Sequence, residues 1–105
     1  MKSKKRWELS RSRKESYVER LSLKLPALRG QANISQEDLA NIIGISRQTY
    51  YGIENRKKDM SWNTYIALTF FFDSVEETSQ MLRELEAFPT DLVAQFNTIT
   101  QIEEN

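Results

Sequence analysis

Apolar residues recur along this chain at the spacing of helical faces, and no segment alternates as a half-buried strand would. One such face near the N-terminus consists of Val18, Leu21, Leu25 and Leu28. Pro26 interrupts this face, and a proline inside a helix costs about 3 kcal/mol. We therefore predict a basic helix that ends near Leu23, followed by a second helix whose first turn contains Pro26 and which reaches about Ala32.

Serine residues precede each of the next three predicted helices, and serine is a preferred N-cap. Ser35 precedes QEDLANII, with an apolar stripe formed by Leu39, Ile42 and Ile43 and with Gly44 as its end. Ser46 precedes RQTYYGIE, and Ser61 precedes WNTYIALTFFF, which is apolar on most sides and suits the centre of the core.

Two more helices are predicted towards the C-terminus. Ser74 and Glu77 have the spacing of a capping box and open a helix that reaches about Phe88. After Pro89 a last helix carries Leu92, Phe96 and Ile99 at i, i+4 and i+7. The chain is predicted to be all-α in three parts: a basic N-terminal arm or helix over 1–24, a five-helix domain over 25–88, and a C-terminal helix over 89–105.

Composition narrows the chemistry. The chain has no cysteine and no histidine, which excludes disulfides, Cys/His zinc sites and a Ser-His-Asp triad. The aromatic residues of the fourth core helix are interpreted as core, and the glutamates of the fifth as solvated. We expect no enzyme activity, no metal and no cofactor. The longest apolar run, YIALTFFF, is shorter than the roughly 20 residues of a membrane span, so we expect a cytoplasmic protein that does not enter membranes.

The net charge of zero conceals a strong asymmetry. Residues 1–30 carry a charge of +7, and the chain from Asp73 onward carries −7. A basic end of this kind suits a polyanion such as DNA, to which the arm would add salt-dependent affinity. Alternatively, the arm pairs with the acidic C-terminal region of the same or a second subunit, and that region is also a candidate surface for a protein partner.

The helices predicted at 36–43 and 46–54 have the spacing of a helix-turn-helix, the HTH motif being residues 36–55. The second helix crosses over Ala40, which must be small, and Gly44 occupies a turn position that needs left-handed backbone. The positions that must be buried to hold the two helices together are Leu39, Ile43, Ile45, Tyr50 and Ile53.

The run QEDLANIIGISRQTYYGIEN closely resembles the helix-turn-helix of the Xre/Cro family of lambda-repressor-like DNA-binding domains. The likeness extends over about residues 25–72 and implies a five-helix domain that binds operator DNA, commonly as a dimer on a palindrome. Two positions depart from the family pattern. Gly52 stands where a longer polar residue is usual, and Arg56 stands where glycine is common.

If Tyr50 and Ile53 point inward, the opposite face of the second helix is predicted to read bases in the major groove. Its candidate base contacts are Arg47, Gln48, Tyr51 and Gly52, at which the bare backbone would approach the groove closely. Tyr51 has an alternative role in packing on a neighbouring helix. The candidate phosphate contacts are Gln36, Ser46, Thr49, Asn55, Arg56 and Lys57.

The predicted function is sequence-specific transcriptional regulation, as a dimeric repressor of bacterial or phage type that is associated with the nucleoid when bound to DNA. Leu92, Phe96 and Ile99 are the candidate dimerisation residues, with packing on the monomer core as their alternative. Two other functions remain open. The chain could be an antitoxin that clamps a toxin and represses its own operon, or an adaptor that binds protein and no longer reads DNA.

Overall fold

The computed structural model describes residues 7–104, without the side chains of the last two. Within that part the chain is entirely helical. The helices are α1 Arg11–Ala32, α2 Gln36–Ile43, α3 Arg47–Glu54, α4 Trp62–Ser74, α5 Glu76–Glu84 and α6 Thr90–Glu104. The all-α prediction is confirmed. The basic residues Lys2, Lys4, Lys5 and Arg6 of the predicted arm lie outside the described residues.

The predicted break before Pro26 is wrong, because α1 is one helix of 22 residues with Pro26 inside it. The helix also crosses the boundary placed between the arm and the core domain at residue 24. Its buried side chains continue on both sides of the proline, at Tyr17, Leu21, Leu25 and Leu28. Pro26 itself is exposed. Burial of this continuous face offsets the hydrogen bond that proline removes from the helix.

The three serine caps are confirmed. The side chain of Ser35 accepts a hydrogen bond from the backbone N–H of Asp38, at 3.0 Å. Ser46 accepts from the N–H of Thr49 at 3.0 Å, and Ser61 from the N–H of Thr64 at 3.1 Å. Each cap satisfies one of the free N–H groups of a helix start, so the beginnings of α2, α3 and α4 are set by local sequence.

The predicted capping box at Ser74 is wrong. Ser74 is the last residue of α4, and its hydroxyl donates to the carbonyl of Phe70 at 2.7 Å. α5 begins after Val75 without a side-chain cap, and it ends at Glu84 rather than near Phe88. The buried hydroxyl of Thr78 donates to the carbonyl of Phe72 at 2.7 Å, which joins the two helices across their tight corner. This tertiary hydrogen bond fixes the corner that the local pattern misplaced.

α6 is docked by its first turns only. Leu92 is 4% exposed and belongs to the core of the monomer, so its assignment to a dimer surface is wrong. Nearby, the guanidinium of Arg13 donates to the side chain of Gln95 at 2.7 Å and lies 3.5 Å from Asp91. The rings of Trp7 and Phe96 lie 5.9 Å apart. The alternative role, packing on the core, therefore holds for Leu92.

Candidate nucleic-acid interface

The turn between α2 and α3 is built on Gly44. Its φ angle is +86°, a left-handed value that favours glycine, and its N–H donates to the carbonyl of Ala40 at 2.9 Å. The N–H of Ile45 donates to the same carbonyl at 3.0 Å. A Cβ added at Gly44 would meet nothing within 4 Å, so the glycine is needed for backbone conformation rather than for space.

The inward positions of the motif are filled largely as predicted. Leu39, Ala40, Tyr50 and Ile53 are buried. Ile43 and Ile45 are half-buried and pack against the core. One assignment is wrong, because Ile42 of the predicted apolar stripe is 57% exposed. The buried side of α2 carries Leu39 and Ala40, and Ile42 lies outside it.

An ion pair that the sequence did not reveal joins α3 to α1. The Nε and Nη2 atoms of Arg29 donate to the two carboxylate oxygens of Glu54, at 3.0 and 2.9 Å. The side chains are 25% and 9% exposed, respectively. Arg29 also donates to the carbonyl of Ile34 at 3.2 Å. This bidentate geometry fixes the end of α3 against the end of α1.

The pairing with Arg29 affects the pKa of Glu54. Burial opposes ionisation of the carboxyl, but the hydrogen bonds and the charge of Arg29 outweigh that effect and hold its pKa below the ordinary value. Burial also raises the pKa of Tyr50, whose ring is fully buried one turn before Glu54. Both residues are therefore fixed in one charge state at neutral pH, Glu54 ionised and Tyr50 neutral.

The face of α3 opposite to Tyr50 and Ile53 is open. Arg47 and Gln48 are exposed, and Tyr51 is 56% exposed. Among the described residues, Tyr51 takes part in none of the contacts between aromatic rings. Among residues 7–104, Arg47 takes part in none of the ion pairs, so its guanidinium is available for a ligand.

Gly52 differs from expectation. It lies on the outer side of α3, one turn after Gln48, but it is buried. The aliphatic stem of Lys58 covers it, and a Cβ at this position would lie 2.9 Å from the Cγ atom of Lys58. The expectation that Gly52 presents bare backbone to a groove is therefore wrong, because the chain's own loop occupies that space.

The predicted phosphate contacts fall into two groups. Gln36, Ser46 and Thr49 stand at the starts of α2 and α3, where free N–H groups and the positive helix ends are located. The hydroxyls of Ser46 and Thr49 are also hydrogen-bonded to each other at 2.9 Å. The second group, Asn55, Arg56 and Lys57, is exposed in the loop after α3.

Within this loop the three side chains have different surroundings. The Asn55 side chain accepts from the N–H of Lys57 at 3.1 Å. Arg56 has a left-handed φ of +68°, and its Nη2 atom contacts both carboxylate oxygens of Glu19 at 2.8 Å. Arg56 thus keeps the turn that glycine makes in the resembling family, while its charge is shared with α1. Lys57 has no ion pair among the described residues and is the freer cation.

Two short helices joined by a glycine turn, with an open polar face on the second, form a helix-turn-helix, a motif that occurs in DNA-binding proteins. Residues 27–61 match the family HTH_3: Helix-turn-helix. That segment of the chain belongs to the Xre/lambda-repressor-type helix-turn-helix family, and α1–α5 have the all-helical fold that the resemblance implied.

The family is one of DNA-binding transcription regulators and not of enzymes, and in this general sense the chain is a DNA-binding transcription regulator. Comparison with curated proteins gave no match, and neither did comparison with solved structures. In the described part of the chain, no helix combines the length and apolar character that crossing a membrane requires.

Proposed function

We propose that this protein is a repressor that binds operator DNA as a dimer, with α3 in the major groove. The observation that supports this most is the open face of α3 bearing Arg47, Gln48 and Tyr51, held outward by the buried side chains behind it and by the Arg29–Glu54 ion pair. We place its action in the cytoplasm of a bacterial cell, on chromosomal or phage DNA of the nucleoid.

Each residue of the open face has a proposed role. Arg47, in the first turn of α3, donates two hydrogen bonds to the O6 and N7 atoms of a guanine. Gln48 pairs in the same way with the N6 and N7 atoms of an adenine. Tyr51 packs its ring on a thymine methyl group or reaches a phosphate. Lys57 and the starts of α2 and α3 bind phosphates, which position the helix without selecting a sequence.

The proposed dimer uses the free part of α6. Phe96 and Ile99 remain partly exposed beyond Leu92, and Ile102 is exposed. Beside them a groove between α4 and α6 carries further exposed apolar side chains, with Phe70 74% exposed. Lys14 and Asp73 also line this groove, but Asp73 is already paired with Arg83 at 2.6 Å, so the apolar side chains would make the contact with a second copy. Contiguous exposed apolar side chains of this extent are typical of interaction sites.

A selection of bound sequences from random duplexes at low salt tests the function. We expect an inverted repeat whose half-sites are about 10 base pairs apart or a multiple of that. Arg47→Ala should weaken binding to the selected operator by about 1–3 kcal/mol and relax base choice at one position of each half-site. Lys57→Ala is the matched control, and it should weaken all sequences almost equally.

If Arg47→Ala weakened binding to every DNA sequence equally, Arg47 would have no role in base reading. Light scattering of the same samples gives the stoichiometry, and Phe70→Ser should shift a dimer towards monomer. If no duplex is selected while a protein partner binds tightly, the adaptor function replaces the repressor. A selected operator together with a small co-purifying partner would instead favour an antitoxin.

A further inference from the structure

The loop after α3 folds back onto Gly52. The N–H groups of Lys57 and Lys58 both donate to the carbonyl of Gly52, at 2.8 and 3.0 Å. One carbonyl with two lone pairs can accept both bonds. The backbone of residues 57 and 58 is therefore attached to the last turn of α3.

Gly52 supplies the space that this arrangement needs. A Cβ at position 52 would lie 2.9, 3.0 and 3.4 Å from the Cγ, Cδ and Cβ atoms of Lys58. Contacts of this length require the lysine stem to move. The glycine is thus not a tolerated defect of α3, since its missing side chain is replaced by the stem of a lysine from the following loop.

The packing of the Lys58 stem on Gly52, which we call the Lys58 seat, limits where the ammonium group of Lys58 can lie. Two bonds of about 1.5 Å separate Nζ from Cδ, so Nζ lies within about 6 Å of the position that a Cβ of residue 52 would take. That position is one helical turn after Gln48 and next to Tyr51. A long polar side chain at position 52 would place its own end group in the same region.

The charge of Lys58 is not taken up by the protein. Its side chain is exposed, and it has no ion pair among residues 7–104. The groove along α1 that Lys58 lines also contains three acidic residues. Glu19 is held by Arg56, Glu15 lies 4.0 Å from Arg11, and Asp59 forms no ion pair with Lys58. The stem of Lys58 therefore packs on the protein while its charged head stays in water, as is common for lysine.

We propose that Lys58, whose stem packs on Gly52, contacts DNA beside the open face of α3. It takes the place of the side chain that α3 lacks at position 52. It donates to an acceptor oxygen or nitrogen beside the contacts of Gln48 and Tyr51, either a phosphate oxygen or a base-edge atom. The inference deepens the proposed function and rests on it, because it adds a residue to the same interface.

The test is a double-mutant cycle of operator affinity, measured over a range of salt concentrations. Lys58→Met keeps the apolar stem on Gly52 and removes the charge. Lys57→Met, at a proposed phosphate contact of the same loop, gives the size of one phosphate contact for comparison, and Lys24→Met is the control for loss of one positive charge. For a phosphate contact, Lys58→Met should reduce the slope of log K against log salt by about 0.9, which corresponds to about eightfold weaker binding at 0.1 M salt. Loss confined to one base pair of each half-site would identify a base-edge contact instead.

Gly52→Ala distinguishes a seated lysine from a free one. In the wild-type background it should displace Lys58 and weaken operator binding severalfold, but in the Lys58→Met background it should change the affinity by less than twofold. Circular dichroism of each variant verifies that α3 is retained.

Three results would overturn the proposal. Binding of Lys58→Met that equals wild type at every salt concentration excludes the contact. Equal weakening by Gly52→Ala in both backgrounds shows that residue 52 acts without Lys58. Failure of the wild type to bind any duplex removes the proposed function and this contact together, whereas Arg47-dependent binding with an inert Lys58 removes the contact alone.

Discussion

Arg29→Met is the change that most directly tests how α3 is held. The Glu54 carboxylate is 9% exposed and receives two hydrogen bonds from Arg29. Methionine keeps the apolar length of the arginine side chain but leaves a buried charge without its partner. Removing one member of a buried ion pair costs about 3–5 kcal/mol. We expect the lower end of that range, about 3 kcal/mol, because Arg29 is 25% exposed and water can enter in its place.

A loss of this size lowers the Tm by roughly 10–20 °C in a domain of about 100 residues. Urea unfolding at pH 7, followed by the fluorescence of Trp7 and Trp62, measures the free energy of unfolding directly. The double variant Arg29→Met with Glu54→Met leaves no buried charge and should lie within about 1 kcal/mol of wild type. Lys24→Met, a half-buried cation of α1 with no ion pair in the described chain, is the control for loss of a positive charge.

The pH dependence separates the lost pair from a simple packing defect. In wild type the pKa of Glu54 is below its unfolded value, so its contribution is complete above about pH 4.5 and disappears as the pH falls through the folded pKa. Without Arg29, burial is opposed only by the remaining hydrogen bonds from Tyr50 and Gln36, so the pKa of Glu54 rises from its wild-type value. The variant's native state then binds the proton more tightly, so its deficit should shrink as the pH is lowered from 7 towards 4.5. A deficit under about 1 kcal/mol at pH 7, or one that is equal at pH 7 and pH 5, would refute the reasoning.

Three further substitutions examine other parts of the structure. Leu92→Ala should cost about 2–4 kcal/mol in urea unfolding because Leu92 is buried. Val93→Ala, at the neighbouring exposed position, should cost under about 1 kcal/mol. Equal costs for the two variants would contradict the burial of Leu92. Thr78→Val removes the donor to the Phe72 carbonyl and should cost about 1–2 kcal/mol, against under 0.5 kcal/mol, roughly, for Thr98→Val on exposed α6. Arg56→Gly relieves the strain of a left-handed φ of +68° and removes an exposed ion pair with Glu19. Thermal melting should show that the free energy of unfolding rises by about 0.5–1 kcal/mol. A fall would mean that the ion pair outweighs the backbone strain.

The parts of this fold that sequence predicted are those decided within a few residues. Ser35, Ser46 and Ser61 act on N–H groups three positions away, and Gly44 acts on its own φ angle. Two errors have different origins. Pro26 is accommodated because leucines on both sides of it pack on other helices, which the local pattern does not show. Ser74 does not cap α5 because it ends α4 and its hydroxyl donates to the carbonyl of Phe70.

The candidate site follows the same rule. Arg47, Gln48 and Tyr51 were placed on the outer face from the helical period alone, and that placement holds. The helical period also places Gly52 on this face. The period cannot show, however, that the loop after α3 folds back over Gly52. The Lys58 seat and the Arg29–Glu54 pair join residues 6 and 25 positions apart, and neither spacing belongs to a helical face.

The continuity of α1 connects the two ends of the proposed machinery. Near its start Arg13 contacts Gln95 and Asp91 of α6, and near its end Arg29 holds Glu54 of α3. The 16 positions between these arginines correspond to about 24 Å of helix. A helix broken at Leu23 would remove this direct connection and leave α3 and α6 joined only through the rest of the common core. If two copies pair through α6 as proposed, the unbroken α1 would carry the orientation of that interface to α3, and a change in the packing around Pro26 should then change the half-site spacing.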